Sequence, residues 1–222
     1  MSSSKTKLLA YTPRSANTYV DYYKLITPIN IHGSDVKFSD TAEHVGVLRS
    51  PTGNMPHILQ RIGKHQKALA AVLFNGLGKK HRGNPAASLK IESIYALPVL
   101  LSGVPPLLLL KSELDALAQH YKVTLQNLQK LYPKTPRSVI FFLAGILPAE
   151  AILHCKQLSL FLMICHEPEN ILHRVALHCL TRLQDNAKSW FCSLISLTHQ
   201  FSLPLPLSCS RAPQLNSNLK ES

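Results

Sequence analysis

A mainly α fold with a small N-terminal antiparallel β layer is what this sequence predicts. Three observations carry that expectation. Up to residue 54 the apolar residues come in short runs, broken every few positions by Pro, Gly, Ser or Asp. After Pro56 they recur three and four residues apart, the spacing of an amphipathic helix. From Ser202 onward, SLPLPLSCSRAPQLNSNLKES has no period and is rich in Pro and Ser. The expected division is a β segment over 1–54, a helical domain over 55–200 and a disordered tail over 201–222.

Thr6 to Tyr11 (TKLLAY) is the first expected strand, and Tyr19 to Ile26 (YVDYYKLI) the second. Ile29 to His32 follows Thr27-Pro28, and a turn over His32-Gly33-Ser34-Asp35 leads into Val36-Lys37-Phe38. His44 to Leu48 (HVGVL) reads as one more strand, closed by Arg49-Ser50-Pro51-Thr52-Gly53-Asn54. Four or five short strands are too few for a core of their own, so they should pack on something else.

Helices are expected over 57–75, 86–103, 111–130, 136–144, 149–165, 169–184 and 187–200. In the first, Ile58, Leu59, Ile62, Leu69, Val72 and Leu73 form the apolar stripe, while Arg61, Lys64 and Lys67 point elsewhere. Asn75-Gly76 stops it. Asn84-Pro85 caps and opens the second, which buries Leu89, Ile94, Leu97, Leu100 and Leu101. Ser112, Glu113 and Asp115 make an acidic start for the third. Its stripe is Leu114, Leu117, Ala118, Tyr121, Leu125, Leu128 and Leu131, and Pro133 and Pro136 end it. Pro148 opens a helix carrying Ile152, Leu153, Leu158, Leu160, Phe161 and Met163, and Glu167-Pro168-Glu169-Asn170 is a break.

Charge narrows the partner. The formal net charge is +12 and the pI about 9.6. That balance points to nucleic acid or an anionic membrane surface before an acidic small molecule. The apolar runs Ile94 to Leu110 and Ser138 to Leu153 are broken by Pro, Gly or Glu, so they read as buried pieces; no membrane span and no membrane partner are expected. The polar start, MSSSKTK, has no signal-peptide character. Five cysteines at irregular spacing then read as reduced thiols of an intracellular protein.

The chain is organised around Pro56 to Gly103. From His44 to Ile91 there is no acidic residue, yet Arg49, Arg61, Lys64, Lys67, Lys79, Lys80, Arg82 and Lys90 all fall there. A one-signed segment beside an apolar core suits a polyanion. The alternative is a solvated basic face with no partner.

Catalytic motifs are weak. Metal-dependent phosphate chemistry needs clustered carboxylates, and the twelve acids here are scattered. Tyr19-Val20-Asp21-Tyr22 resembles the Tyr-x-Asp-Asp box of polymerases, but Tyr22 stands at the second acid position. His154, Cys155, Cys165, His166, His173, His178 and Cys179 cluster in sequence, yet no Cys-x2-Cys pair exists, so no metal is assigned. Gly76-Leu77-Gly78-Lys79-Lys80 does not match a phosphate-binding loop of the G-x-x-x-x-G-K-[ST] type, though it suits contact with a phosphate backbone.

The order of segments resembles the back end of a non-LTR (LINE-type) retrotransposon reverse transcriptase, from the end of the palm through the thumb. Ser4-Lys5-Thr6-Lys7 resembles the Lys-Thr strand that follows the family's catalytic box. Glu43-His44-Val45-Gly46-Val47 resembles its His-Leu-Gly hairpin, the primer grip. His57-Ile58-Leu59-Gln60-Arg61-Ile62 and the helix after it resemble the first thumb helix. Leu97-Pro98-Val99-Leu100-Leu101-Ser102-Gly103 resembles the Pro-x-Leu-Leu-Tyr-Gly segment, with Ser102 for Tyr, and Leu143 to Pro148 resembles the late Gly-x-x-Pro turn. Together these span roughly residues 4 to 166.

The resemblance makes 1–54 a residual palm and primer-grip segment and 55–200 a thumb-like bundle. It implies descent from an RNA-directed DNA polymerase, without activity. The family's Asp pair would precede Lys5, and the chain begins almost at that strand, so a truncated element is expected. No cofactor is expected, since the ligands for the family's Mg²⁺ are missing. Lys5 would lie near the incoming nucleotide, and His44, Val45 and Gly46 at the primer end. Arg61, Lys64 and Lys67 would line the template–primer groove, with the basic loop Lys79, Lys80 and Arg82 adding phosphate contacts. The expected partner is an RNA–DNA hybrid or DNA backbone, with nuclear action following from the ancestry. The alternative is a small helical interaction module whose basic loop serves an acidic protein partner.

Overall fold

The computed structural model describes residues 9, 29–31, 34–36, 39, 41–44, 46–51, 53–76, 84–167, 169–182 and 189–203. The architecture is mainly helical, with small antiparallel β structure ahead of the helices. The chain divides into two compact units. The first comprises 1–83 with 90–102, and the second 84–89 with 103–222. The expected strands at 6–11 (Leu9 apart) and 19–26, the basic loop 79–82 and the tail from 204 lie outside the described residues.

In the first unit β1 (Ile29–Ile31) pairs antiparallel with β2 (Ser34–Val36), with Ile31 opposite Ser34 and Ile29 opposite Val36. Ser34 and Asp35 thus belong to a strand and not to the expected four-residue turn, because a connection of two residues suffices for a hairpin. His44 to Leu48 is likewise not one strand. β3 (Ala42–His44) pairs with β4 (Val47–Arg49), with His44 opposite Val47 and Ala42 opposite Arg49. Gly46 sits between them at φ +73°, a conformation glycine adopts without steric cost.

Helix α1 (Met55–Gly76) follows, with Pro56 in the first turn, where a missing N–H costs nothing. It packs on β4. Its buried face differs from the expected stripe. His57, Ile58, Arg61 and His65 are buried, while Leu59 is 57% exposed. Arg61 therefore does not point away from the core. The expected contribution of Leu73 lies outside the described side chains.

Helix α2 (Pro85–Ile91) is capped by Asn84, whose Oδ1 accepts the Ala86 N–H at 3.0 Å. It runs into a π-helical turn over Glu92–Ala96 and then α3 (Leu97–Leu101). The Leu97 N–H reaches back five residues to the Glu92 carbonyl. The extra residue in that turn changes the phase of the buried face. Glu92 and Ala96 turn inward, and Ile94, expected in the core, is 54% exposed. Leu97, Leu100 and Leu101 are buried as expected, and α1 packs on both the π turn and α3.

The second unit is built from α4 (Lys111–Leu128), α5 (Arg137–Ala144), α6 (Ala149–His166), α7 (Ile171–Arg182) and α8 (Trp190–Gln200). Along α4, Leu117, Ala118, Tyr121 and Leu125 are buried at the expected spacing. Glu113 accepts the Leu110 N–H at 2.8 Å, one half of a capping box. Gly145 ends α5 at φ +63°: its N–H bonds the Phe142 carbonyl, and the Ile146 N–H bonds that of Phe141, which is a Schellman ending. Asn170 caps α7 by accepting the Leu172 N–H at 2.9 Å. α4 packs on α5 and α6, and α6, α7 and α8 pack on one another. Phe161, Cys165, Leu194 and Leu197 form a core between α6 and α8. Met163, one of the apolar residues named for this helix, is exposed.

Candidate nucleic-acid interface

Of the residues the sequence nominates for nucleic-acid contact, Lys5, Lys79, Lys80 and Arg82 lie outside the described residues. The other five belong to the first unit. His44, Gly46, Lys64 and Lys67 are exposed, and Arg61 is 6% exposed.

Arg61 is buried with one of its donors used within the fold. Its Nη2 donates to the Gly46 carbonyl, tying the tip of the β3–β4 hairpin to α1. A second tie runs beside it: the Leu48 N–H donates to His57 Nδ1 at 3.1 Å. These bonds seat the hairpin on the first two turns of the helix. Lys64 is the next basic residue along, and its Nζ stands 3.7 Å from Glu43 Oε1 on β3. That ion pair is exposed on both sides, so it contributes little to stability and leaves the ammonium open to water. Lys67, one turn further on, is exposed.

The His57 ring has a defined tautomer. Nδ1 accepts from Leu48, so the proton of the neutral ring is on Nε2. Arg61 Nε, 3.5 Å from His57 Nε2, therefore faces a protonated nitrogen and does not hydrogen-bond to it. Burial holds the His57 pKa below 6.5, and the Arg61 charge lowers it further; a hydrogen bond to the Ser102 backbone opposes both, and Lys64 and Arg49 add smaller lowering effects. The ring is neutral at pH 7 and acts as a strut.

Sequence reasoning passed over three buried polar residues. His57 lies under the hairpin. His65 Nε2 and Glu92 Oε1 meet at 3.3 Å with both side chains fully buried, joining α1 to the π turn. Among the described residues Glu92 Oε2 has no hydrogen-bond partner, nor has the buried Gln60 Oε1. Hydropathy could not mark these positions as interior. The available signal was their spacing: 57, 61 and 65 repeat every four residues along one line of the helix.

Among the described residues no group of three His, Cys, Asp or Glu side chains is arranged to hold a metal ion. Of the cysteine–histidine cluster, Cys165 and His173 are buried, and His173 Nδ1 lies 3.1 Å from the Ile164 carbonyl oxygen. Cys155, His166 and His178 are exposed. No protein-family model, curated protein or solved structure matches the chain.

Proposed function

We propose that the first unit is a phosphate-backbone-binding surface derived from the primer grip and first thumb helix of a non-LTR reverse transcriptase, acting in binding and not in catalysis. The observation that carries this reading is the seating of the β3–β4 hairpin on a basic helix by Arg61 and His57. That arrangement fixes a glycine-tipped hairpin beside two exposed lysines, one of them 3.7 Å from Glu43 on β3, and no further acidic residue follows until Glu92. Lys64 and Lys67 supply mobile point charges, which suit phosphates and read no base. Arg61 has a different part: it positions the hairpin. No catalytic step is assigned, because the acidic residues are scattered along the sequence.

The test is fluorescence anisotropy with a labelled RNA–DNA hybrid at low and at physiological salt. Lys64→Ala/Lys67→Ala is the informative variant, since both side chains are exposed and the fold should survive. Binding should weaken as salt rises, and the double variant should lower the log–log salt slope by about 0.9 for each lost contact. A folded protein that does not bind, or a variant with an unchanged slope, would sink the reading. Resistance to displacement by heparin and DNA would favour an acidic protein partner instead.

A further inference from the structure

Helix α5 in the second unit presents an apolar face to solvent, and we propose that this face is a contact site for an anionic lipid surface. Ile140 and Phe141 turn inward and are buried. The opposite side carries Val139, Phe142 and Leu143, one helical stripe by their spacing of three and four, with Phe142 84% and Leu143 56% exposed. A water-facing side of a helix is ordinarily polar; this one has only Ser138 beside its apolar stripe. Leu147, just past the Schellman ending, is exposed as well.

The surrounding charge selects the partner. From Ala116 to Ala149 there is no acidic residue, while Lys130 and Lys134 are exposed; Arg137 is ion-paired with Glu150 and adds no free charge. The lysine-bearing connection before α5 is anchored to it, because Gln129 Nε2 donates to the Ile140 carbonyl at 3.1 Å. Gln126 Nε2 also holds the Tyr132 carbonyl at 2.6 Å, keeping an exposed tyrosine in that connection. An apolar wedge with an aromatic residue and a basic rim matches the acyl boundary and the charged headgroups of an anionic bilayer. α5 has eight residues, so it spans about 12 Å and would lie at the interface of a hydrocarbon layer about 30 Å thick.

The test is co-sedimentation of the full chain with phosphatidylcholine vesicles, with and without phosphatidylserine, at physiological salt. Binding is expected only with phosphatidylserine. Phe142→Ser/Leu143→Ser should reduce it at least about tenfold, because it removes most of the apolar area that would enter the boundary. Lys130→Glu/Lys134→Glu should reduce it while leaving that area intact. If the serine variant fails to fold, Phe142→Trp keeps the question open to measurement, since lipids with brominated acyl chains should quench its added fluorescence. Vesicle binding that survives the serine substitutions would belong to the lysines of the first unit and overturn the proposal. So would a Trp at 142 that is not quenched, or self-association without vesicles that those substitutions abolish, which would assign the face to a second copy.

Discussion

The buried Arg61 guanidinium donates to the carbonyl of Gly46 across fifteen residues of chain, and this bond fixes the β3–β4 hairpin on α1. A buried charged donor on a backbone carbonyl is a strong hydrogen bond, and truncating Arg61 also removes the packing of its buried stem. Arg61→Ala should therefore lower stability by about 2 kcal/mol. Arg61→Lys should recover only part of it, because an ammonium on a flexible stem lacks the fixed donor geometry of the guanidinium. Urea unfolding of the three proteins decides this. Equal midpoints would mean that the bond does not hold the hairpin.

Gly46 is needed for its backbone. At φ +73° any side chain is strained, but a Cβ there would meet only Arg61 Nη2 at 3.6 Å, an ordinary contact. Gly46→Ala should thus cost about 1–2 kcal/mol, the left-handed penalty alone. Gly46→Asn should cost less. If Ala were far more damaging than this range, crowding against Arg61 would be the cause, contrary to the measured space.

Stability should fall on mild acidification through His57. Its folded pKa is lowered below 6.5 by burial and then by Arg61, so the unfolded chain binds the proton more tightly. The contribution is complete above pH 6.5, declines as pH drops toward the folded pKa, and levels off below it. His154 in the second unit is shifted the same way by burial, with Glu150 opposing. Nitrogen-detected NMR should show His57 protonated on Nε2 at pH 7, with a midpoint below 6.5. A midpoint above that value would refute the assignment.

The helices were legible in the sequence where burial is apolar, and illegible where it is polar. α4 shows the first case: Leu117, Tyr121 and Leu125 are buried at the spacing that announces them. α1 shows the second. Its hydropathy nominates Leu59 for the core, but the hairpin covers the side bearing His57 and Arg61, whose polar atoms are satisfied by backbone groups distant in sequence. Such partners exist only after folding. The π turn is a further case, since one added residue moves Ile94 out and Glu92 in, and no periodicity rule anticipates it. Of the nominated basic residues that are described, Lys64 and Lys67 are exposed as expected and Arg61 is buried against expectation.

The His65–Glu92 pair should be costly to break and cheap to remove. Both side chains are fully buried 3.3 Å apart, and Glu92 Oε2 has no hydrogen-bond partner among the described residues. Deleting the imidazole leaves a fully buried carboxylate without this contact, so His65→Leu alone should lose about 3–5 kcal/mol, and Glu92→Leu less. The double variant His65→Leu/Glu92→Leu replaces a desolvated polar pair with apolar volume and should lose much less than the sum, or nothing. A double-mutant cycle by urea unfolding reads the coupling directly. Additive losses would mean that the two residues stabilise α1 and the π turn separately. Coupled losses would show that the pair acts as one device, selecting the π register that brings Glu92 inward.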